Sequence, residues 1–152
     1  MKKENLKNHS RDLNSNMTQV IDTTKYIEFV RQTTSPASSD FAKLLARLTE
    51  LETQDADVSR LMTAAFGMSA EAGEFTEIVK KIFLQGKPYN DANIEHLKVE
   101  LGDILWYAAQ ACMALDVSFE EVLERNYLKL SARYPEGTFS VYKSENRAEG
   151  DI

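Results

Sequence analysis

Four acidic residues form two pairs whose spacing is suited to holding a metal ion. Glu71 and Glu74 lie three residues apart in one helical segment, and Glu100 and Asp103 repeat that spacing in the next. Residues three apart are neighbours on a helix surface. Partly desolvated carboxylates that lie close together repel one another, and a divalent cation relieves the repulsion. An all-oxygen ligand set favours Mg²⁺ or Mn²⁺ over zinc, and Mg²⁺ commonly bridges carboxylates to phosphates.

The apolar pattern predicts that both pairs lie beside a core-facing stripe. At about 100° per residue, Glu71 falls at the edge of the stripe formed by Phe75 and Val79, and Glu100 falls at the edge of the stripe that contains Ile104. The connection "QGKPYNDA" is short, which favours antiparallel packing. Antiparallel packing would bring both acidic flanks to one side of the contact at one height. A single E-x-x-E pair is usually a solvated helix surface, whereas two matched pairs favour a metal site.

Positive groups follow the acidic segments. One flank of the last predicted helix carries an amide and two cations: Asn126, Lys129 and Arg133. Such a row can hold phosphate oxygens, although cations near a helix C-terminus are also favoured by the helix dipole alone. Lys81 is a weaker candidate, because Glu77 lies four residues before it and predicts a surface ion pair.

Three further side chains near the second acidic pair have less specific interpretations. Trp106 and Tyr107 are expected to form core or subunit contacts, with a base pocket as the alternative. His96 lies one helical turn before Glu100. A surface position is expected for it, and an outer-shell role at the metal site is the alternative.

The elements that position these residues are all predicted to be helices. Helices are expected from about Asp22, from Ser39 or Asp40, from about Asp57 to Leu84, from about Ala92 to Leu115, and from a Ser118–Glu121 capping box to Tyr134. The pattern predicts an all-α antiparallel bundle of four to five helices over residues 22–143. Residues 1–20 are predicted to be a disordered polar tail, and residues 144–152 a loose one.

Composition excludes several classes of protein. The 152 residues are 43% hydrophobic and 28% charged, with a net charge of −6, which argues against a nucleic-acid polymer as partner. No apolar run approaches the length of about 18 residues that indicates a membrane span. Cys112 is the one cysteine and is expected to be a small buried hydrophobe. A cytoplasmic, reducing location is therefore expected.

Three segments carry a resemblance to a known family. "SAEAGEFTEIVKK", then "VELGDILWY", then "NYLKLSARYPEGTFS" resemble the MazG-like all-α nucleoside triphosphate pyrophosphohydrolases, with similarity over roughly residues 25–143. The family pattern is E-E-x-x-E followed by E-x-x-D, and Ala70 replaces the first Glu here. The family's metal ligands map onto Glu71, Glu74, Glu100 and Asp103.

The resemblance implies Mg²⁺-dependent hydrolysis of an NTP or dNTP to the monophosphate and pyrophosphate, with Mn²⁺ as a possible substitute. The four mapped acids would be the catalytic residues and metal ligands, and Lys81, Asn126, Lys129 and Arg133 would bind substrate. The resemblance also implies a homodimer or homotetramer with its site near a subunit interface. Two alternatives remain: a non-enzymatic homo-oligomeric binding module, and a di-iron bundle, which the lack of E-x-x-H pairs disfavours.

Overall fold

The computed structural model describes residues 22–146, and these are helical with no strand among them. The helices are α1 (Thr23–Thr33), α2 (Pro36–Ser39), α3 (Phe41–Glu52), α4 (Val58–Leu84), α5 (Asp91–Ala114), α6 (Phe119–Arg133) and α7 (Val141–Glu145). The all-α prediction is confirmed. The two short helices, α2 and α7, were not predicted, because a helix of four or five residues is too short to show an apolar period.

Local side-chain chemistry explains where the long helices begin. The side chain of Asp57 accepts a hydrogen bond from the backbone N–H of Arg60, and Asn90 does the same for Asn93. Ser118 accepts from the backbone N–H of Glu121 at 3.1 Å. Each contact satisfies a donor that the first turn of a helix leaves without a partner. The predicted starts of α4, α5 and α6 are therefore correct to within a residue or two.

The described part of the chain falls into two compact units, one ending at Arg47 and the other beginning at Leu48. The first contains α1, α2 and the start of α3, and Asp22 caps α1 through the backbone N–H groups of Thr24 and Lys25. The predicted tail over residues 1–20 lies outside the described residues, as do residues 147–152 of the predicted C-terminal tail. Ser144 and Glu145 of that tail belong to α7.

In the second unit, α4 and α5 pack along each other in antiparallel directions. Arg60 near the start of α4 reaches Gln110 near the end of α5, with Nη1 donating to Oε1 at 2.8 Å. Further along α4, Gly67 lies against Tyr107 of α5. The numbers rise on one helix as they fall on the other, which confirms the antiparallel arrangement expected from the short connection. Gly86, with φ of 73°, ends α4 in a backbone conformation that suits glycine.

The packed face of this hairpin differs from the predicted stripe. The buried apolar residues of the described chain are Val58, Ala64, Ile78 and Cys112. Phe75 and Val79 of the predicted stripe are only half-buried. Two packed helices bury only the one strip of residues on each helix that faces the other. The neighbouring apolar residues of each helix form an open strip, which stays partly exposed to solvent. None of the helices within residues 22–146 combines the length and apolar character needed to cross a membrane.

Candidate metal centre

Three carboxylates meet at the contact between α4 and α5. Glu71 and Glu74 of α4 and Glu100 of α5 each offer one oxygen atom, and these atoms all lie within 4.8 Å of one another. We call these three residues the carboxylate cluster. Glu71 and Glu74 are one helical turn apart and so share a flank of α4. The antiparallel course of α5 brings Glu100 to the same level.

The three members of the cluster differ in exposure. Glu74 is exposed, Glu71 is half-buried, and Glu100 is only 5% exposed. Within residues 22–146, Glu100 is the buried residue that can carry a charge. Burial of an ionised carboxylate is costly unless it is paired or coordinates a metal. The cluster therefore runs from solvent, at Glu74, into the helix contact, at Glu100.

His96 provides a partner for the buried carboxylate. Its Nε2 lies 3.0 Å from Oε1 of Glu100, one turn along α5. The imidazole itself remains about half exposed. The surface position expected for His96 is therefore present, and the imidazole also contacts Glu100 of the carboxylate cluster. The i, i+4 spacing of the two residues was the available sequence signal.

The cluster perturbs the titration of Glu71. Desolvation raises the pKa of the Glu71 carboxyl group above its ordinary value of 4.5, and the charges of Glu74, Asp103 and Glu100 raise it further. A hydrogen bond between the Glu71 and Glu100 side chains acts in the same direction, because two carboxyl groups can share one only when one of them holds a proton. Carboxyl groups are thus concentrated at this point of the contact between α4 and α5.

Asp103 lies beside the cluster without belonging to it. Its charge acts on Glu71, and its side chain is exposed. The sequence predicts that all four acids converge at one height. The structure brings an oxygen of Glu100, and not of Asp103, close to those of Glu71 and Glu74.

The predicted phosphate-binding residues lie outside the carboxylate cluster. Lys81 forms the expected ion pair with Glu77, with Nζ and Oε1 3.0 Å apart, and this pair lowers the pKa of Glu77. Asn126 and Lys129 are exposed on α6, and Arg133 is half-buried in its last turn. Helix α6 makes a much smaller contact with α5 than α4 does.

The two aromatic residues of α5 have separate environments. The rings of Trp106 and Tyr107 meet edge to face, with centroids 4.9 Å apart. Tyr107 packs on the α4 backbone at Gly67, as expected for a core contact. Trp106 remains 55% exposed. Sequence reasoning did not identify Gly67 as the position that admits the tyrosine ring.

Known proteins are similar to the region of the chain that contains the carboxylate cluster. A family model described as the MazG nucleotide pyrophosphohydrolase domain matches residues 61–138, which include the cluster and all of α6. The "Gene 37 protein" of Mycobacterium phage L5 is 39% identical over 82 residues, which are 53% of this chain and 71% of the phage protein. No solved structure matches.

Proposed function

Because the chain belongs to the MazG nucleotide pyrophosphohydrolase family, we propose that it is a Mg²⁺-dependent hydrolase of nucleoside triphosphates. The reaction consumes an NTP or dNTP and one water, and it yields the monophosphate and pyrophosphate. Water attacks phosphorus, one phosphoanhydride bond breaks, and pyrophosphate leaves. The observation that carries this proposal is the meeting of three carboxylates from two helices within the region that matches the family.

The chemistry of the cluster fits a hard divalent cation. Its donors are all carboxylate oxygens, which Mg²⁺ and Mn²⁺ prefer. The raised pKa of Glu71 reflects desolvation and mutual repulsion, and a cation would offset that repulsion. Glu71, Glu74 and Glu100 would hold the ion, with Asp103 beside them as a further ligand. The bound ion would supply neutralisation of the triphosphate charge and a water of lowered pKa.

The protein's own groups have distinct roles in this proposal. Glu74 and Asp103 are exposed, so they can accept a proton from the attacking water. Lys81, Asn126, Lys129 and Arg133 would bind phosphate oxygens and stabilise the charge that develops on departing pyrophosphate. Bringing the α6 residues to the substrate would require the assembled protein.

The exposed apolar surface supports assembly of the chain with copies of itself. Leu101, Leu105 and Leu128 are between 49% and 59% exposed, and Phe66 is 71% exposed. Exposed patches of large apolar side chains usually mark protein interfaces. We propose a homodimer or homotetramer in which the open strip of each α4–α5 hairpin is covered by another copy.

A substrate panel tests the activity directly. The purified protein is incubated with each NTP and dNTP plus Mg²⁺, and monophosphate and pyrophosphate are measured. We expect both products, and we expect Glu74→Gln and Asp103→Asn each to lower the rate by at least about a hundredfold, comparable to the loss of a transition-state contact. Glu95→Gln is the matched control, because Glu95 forms a surface pair with Lys98 on the same helix as Asp103.

Two outcomes would contradict the proposal. Absence of monophosphate from the whole panel would show that the protein is not a hydrolase of these nucleotides. Full activity in both Glu74→Gln and Asp103→Asn would show that the assigned site is wrong. Thermal melting with Mn²⁺ and nucleotide then separates a binding site from an inert adaptor, since a ligand that binds the folded form raises the midpoint.

A further inference from the structure

We infer that His96 is a positioning residue that holds the Glu100 carboxylate in the orientation that binds the divalent cation. This inference rests on the proposed function, because it assigns a role toward the metal of the same site. It adds a residue outside the four acids. It also predicts that the affinity of the site for its metal depends on a hydrogen-bond donor on the surface of α5.

The contact itself is specific. Nε2 of His96 lies 3.0 Å from Oε1 of Glu100, which is a normal hydrogen-bond distance. In the inferred contact Nε2–H donates and the carboxylate oxygen accepts. The imidazole would then restrain one oxygen of Glu100 and leave the other for the cation. Outer donors of this kind orient carboxylate ligands of metals, and their loss typically weakens metal binding by about 10- to 100-fold.

Burial distinguishes this pair from ordinary surface pairs on the same helices. The side chains of Lys98 and Glu95 are 65% and 67% exposed, so water competes fully for both groups. In the His96–Glu100 pair the carboxylate side chain is only 7% exposed, although the imidazole is 53% exposed. A buried acceptor depends on its partners far more than a solvated acceptor does. The contact therefore constrains Glu100, whereas the Lys98–Glu95 contact constrains little.

The experiment measures Mn²⁺ binding by calorimetry, without nucleotide, in the full-length protein. Wild type is compared with His96→Ala, His96→Gln and Lys98→Ala. We expect His96→Ala to weaken Mn²⁺ binding about tenfold or more. Gln at this position keeps a donor that can reach four residues along a helix, so His96→Gln should recover most of the affinity. Lys98→Ala should bind as wild type does.

The direction of the effect separates positioning from simple charge. Removing a group that can carry positive charge would by itself strengthen binding of a cation. A loss of affinity in His96→Ala therefore has the opposite sign to a charge effect. Circular dichroism and thermal melting of each variant establish that the fold is retained, and a variant that does not fold is replaced in the comparison by His96→Asn, which cannot reach Glu100.

Failure of the inference and failure of the proposed function give different results. If wild type binds Mn²⁺ and folded His96→Ala binds it equally well, the positioning role is overturned and the proposed site stands. The role is also overturned if His96→Gln is as weak as His96→Ala. If wild type itself binds no Mn²⁺, the metal-dependent function is overturned and the role of His96 falls with it. In hydrolysis assays, His96→Ala should need more Mg²⁺ for half-maximal rate while its rate at saturating Mg²⁺ stays near that of wild type.

Discussion

Tyr107 of α5 fills the space that a side chain at position 67 of α4 would occupy. A Cβ atom added to Gly67 would lie 2.1 Å from Cε1 of the tyrosine ring. The optimal van der Waals separation of non-bonded carbon atoms is about 3.5–4.0 Å. The glycine therefore lets the ring rest on the α4 backbone, about one helical turn before Glu71 of the carboxylate cluster.

We expect Gly67→Ala to lower the free energy of unfolding. Overpacking against Tyr107 should cost about 1–3 kcal/mol, and the higher helix propensity of alanine should return at most about 1 kcal/mol. Urea denaturation measures the change. Gly73→Ala is the matched control on the same helix, because nothing lies within 4 Å of a Cβ built there. Equal stability of the two variants would contradict the proposed contact.

The bridge from Arg60 to α5 should contribute more than an exposed pair. Arg60 donates from Nη1 to Gln110 at 2.8 Å and from Nε to Asp57 at 3.0 Å, and its side chain is 34% exposed. We expect Arg60→Ala to lower the free energy of unfolding by about 1 kcal/mol or more. Arg125→Ala, which removes an exposed partner of Glu121 within α6, should cost a few tenths of a kcal/mol, about what such pairs contribute. A smaller loss for Arg60→Ala than for Arg125→Ala would show that the bridge does not stabilise the hairpin.

The raised pKa of Glu71 predicts a definite pH dependence in the metal-free protein. In the window between the ordinary value of 4.5 and the raised folded pKa, the folded state holds more protons than the unfolded state. Its free energy of unfolding therefore falls as pH rises through this window. Glu71→Gln removes the titration, so wild type should lose stability relative to this variant as pH increases. Mn²⁺ binding by wild type should strengthen over the same window, because the ligand must lose its proton.

Glu77 supplies a control of opposite sign for that experiment. The hydrogen bond and charge of Lys81 lower its pKa below 4.5. Its contribution to stability is present above that value and is lost as pH falls through the lowered pKa. Wild type should therefore lose stability relative to Glu77→Gln on acidification. The same trend in both comparisons would contradict the assignment of the two shifts.

Trp106 can report on the proposed self-assembly. It is the one tryptophan of the chain and is 55% exposed in a single copy. If another copy covers the open face of α5, its emission should be blue-shifted and protected from iodide at high protein concentration. Dilution until light scattering gives the 17.2 kDa monomer mass should shift the emission to the red. A monomer mass at all concentrations, with a freely quenched tryptophan, would contradict the homo-oligomer.

Much of the helical framework was predictable because its causes are local. Asp57, Asn90 and Ser118 each cap a helix through contacts within three residues, and Gly86 ends α4 by its own backbone conformation. The short connection between α4 and α5 limits them to antiparallel packing. Of the predicted Ser118–Glu121 capping box, the hydrogen bond from the Glu121 backbone N–H to the Ser118 hydroxyl is present. The Glu121 carboxylate pairs with Arg125.

The candidate site was predictable in composition but not in arrangement. The two matched pairs and the short connection predicted that Glu71, Glu74, Glu100 and Asp103 converge, and the first three do meet. They did not indicate that Glu100 would be buried or that Asp103 would lie to one side. Those features depend on how far one helix slides along the other, and an apolar period is compatible with several such positions.

By itself, the sequence determined the longer helices, the antiparallel direction of α4 and α5, and the family, because caps, periodicity and motifs act within a few residues of the chain. Only the tertiary structure decided which strip of each helix is enclosed and which carboxylate is withdrawn from water. The reason is the close approach of the two helices at one small residue, Gly67, which admits the ring of Tyr107. The residues buried on α4 include Ala64 and Ile78, whereas Phe75 and Val79 are only half-buried. Shape complementarity between distant residues made that choice, and no pattern within one helix encodes it.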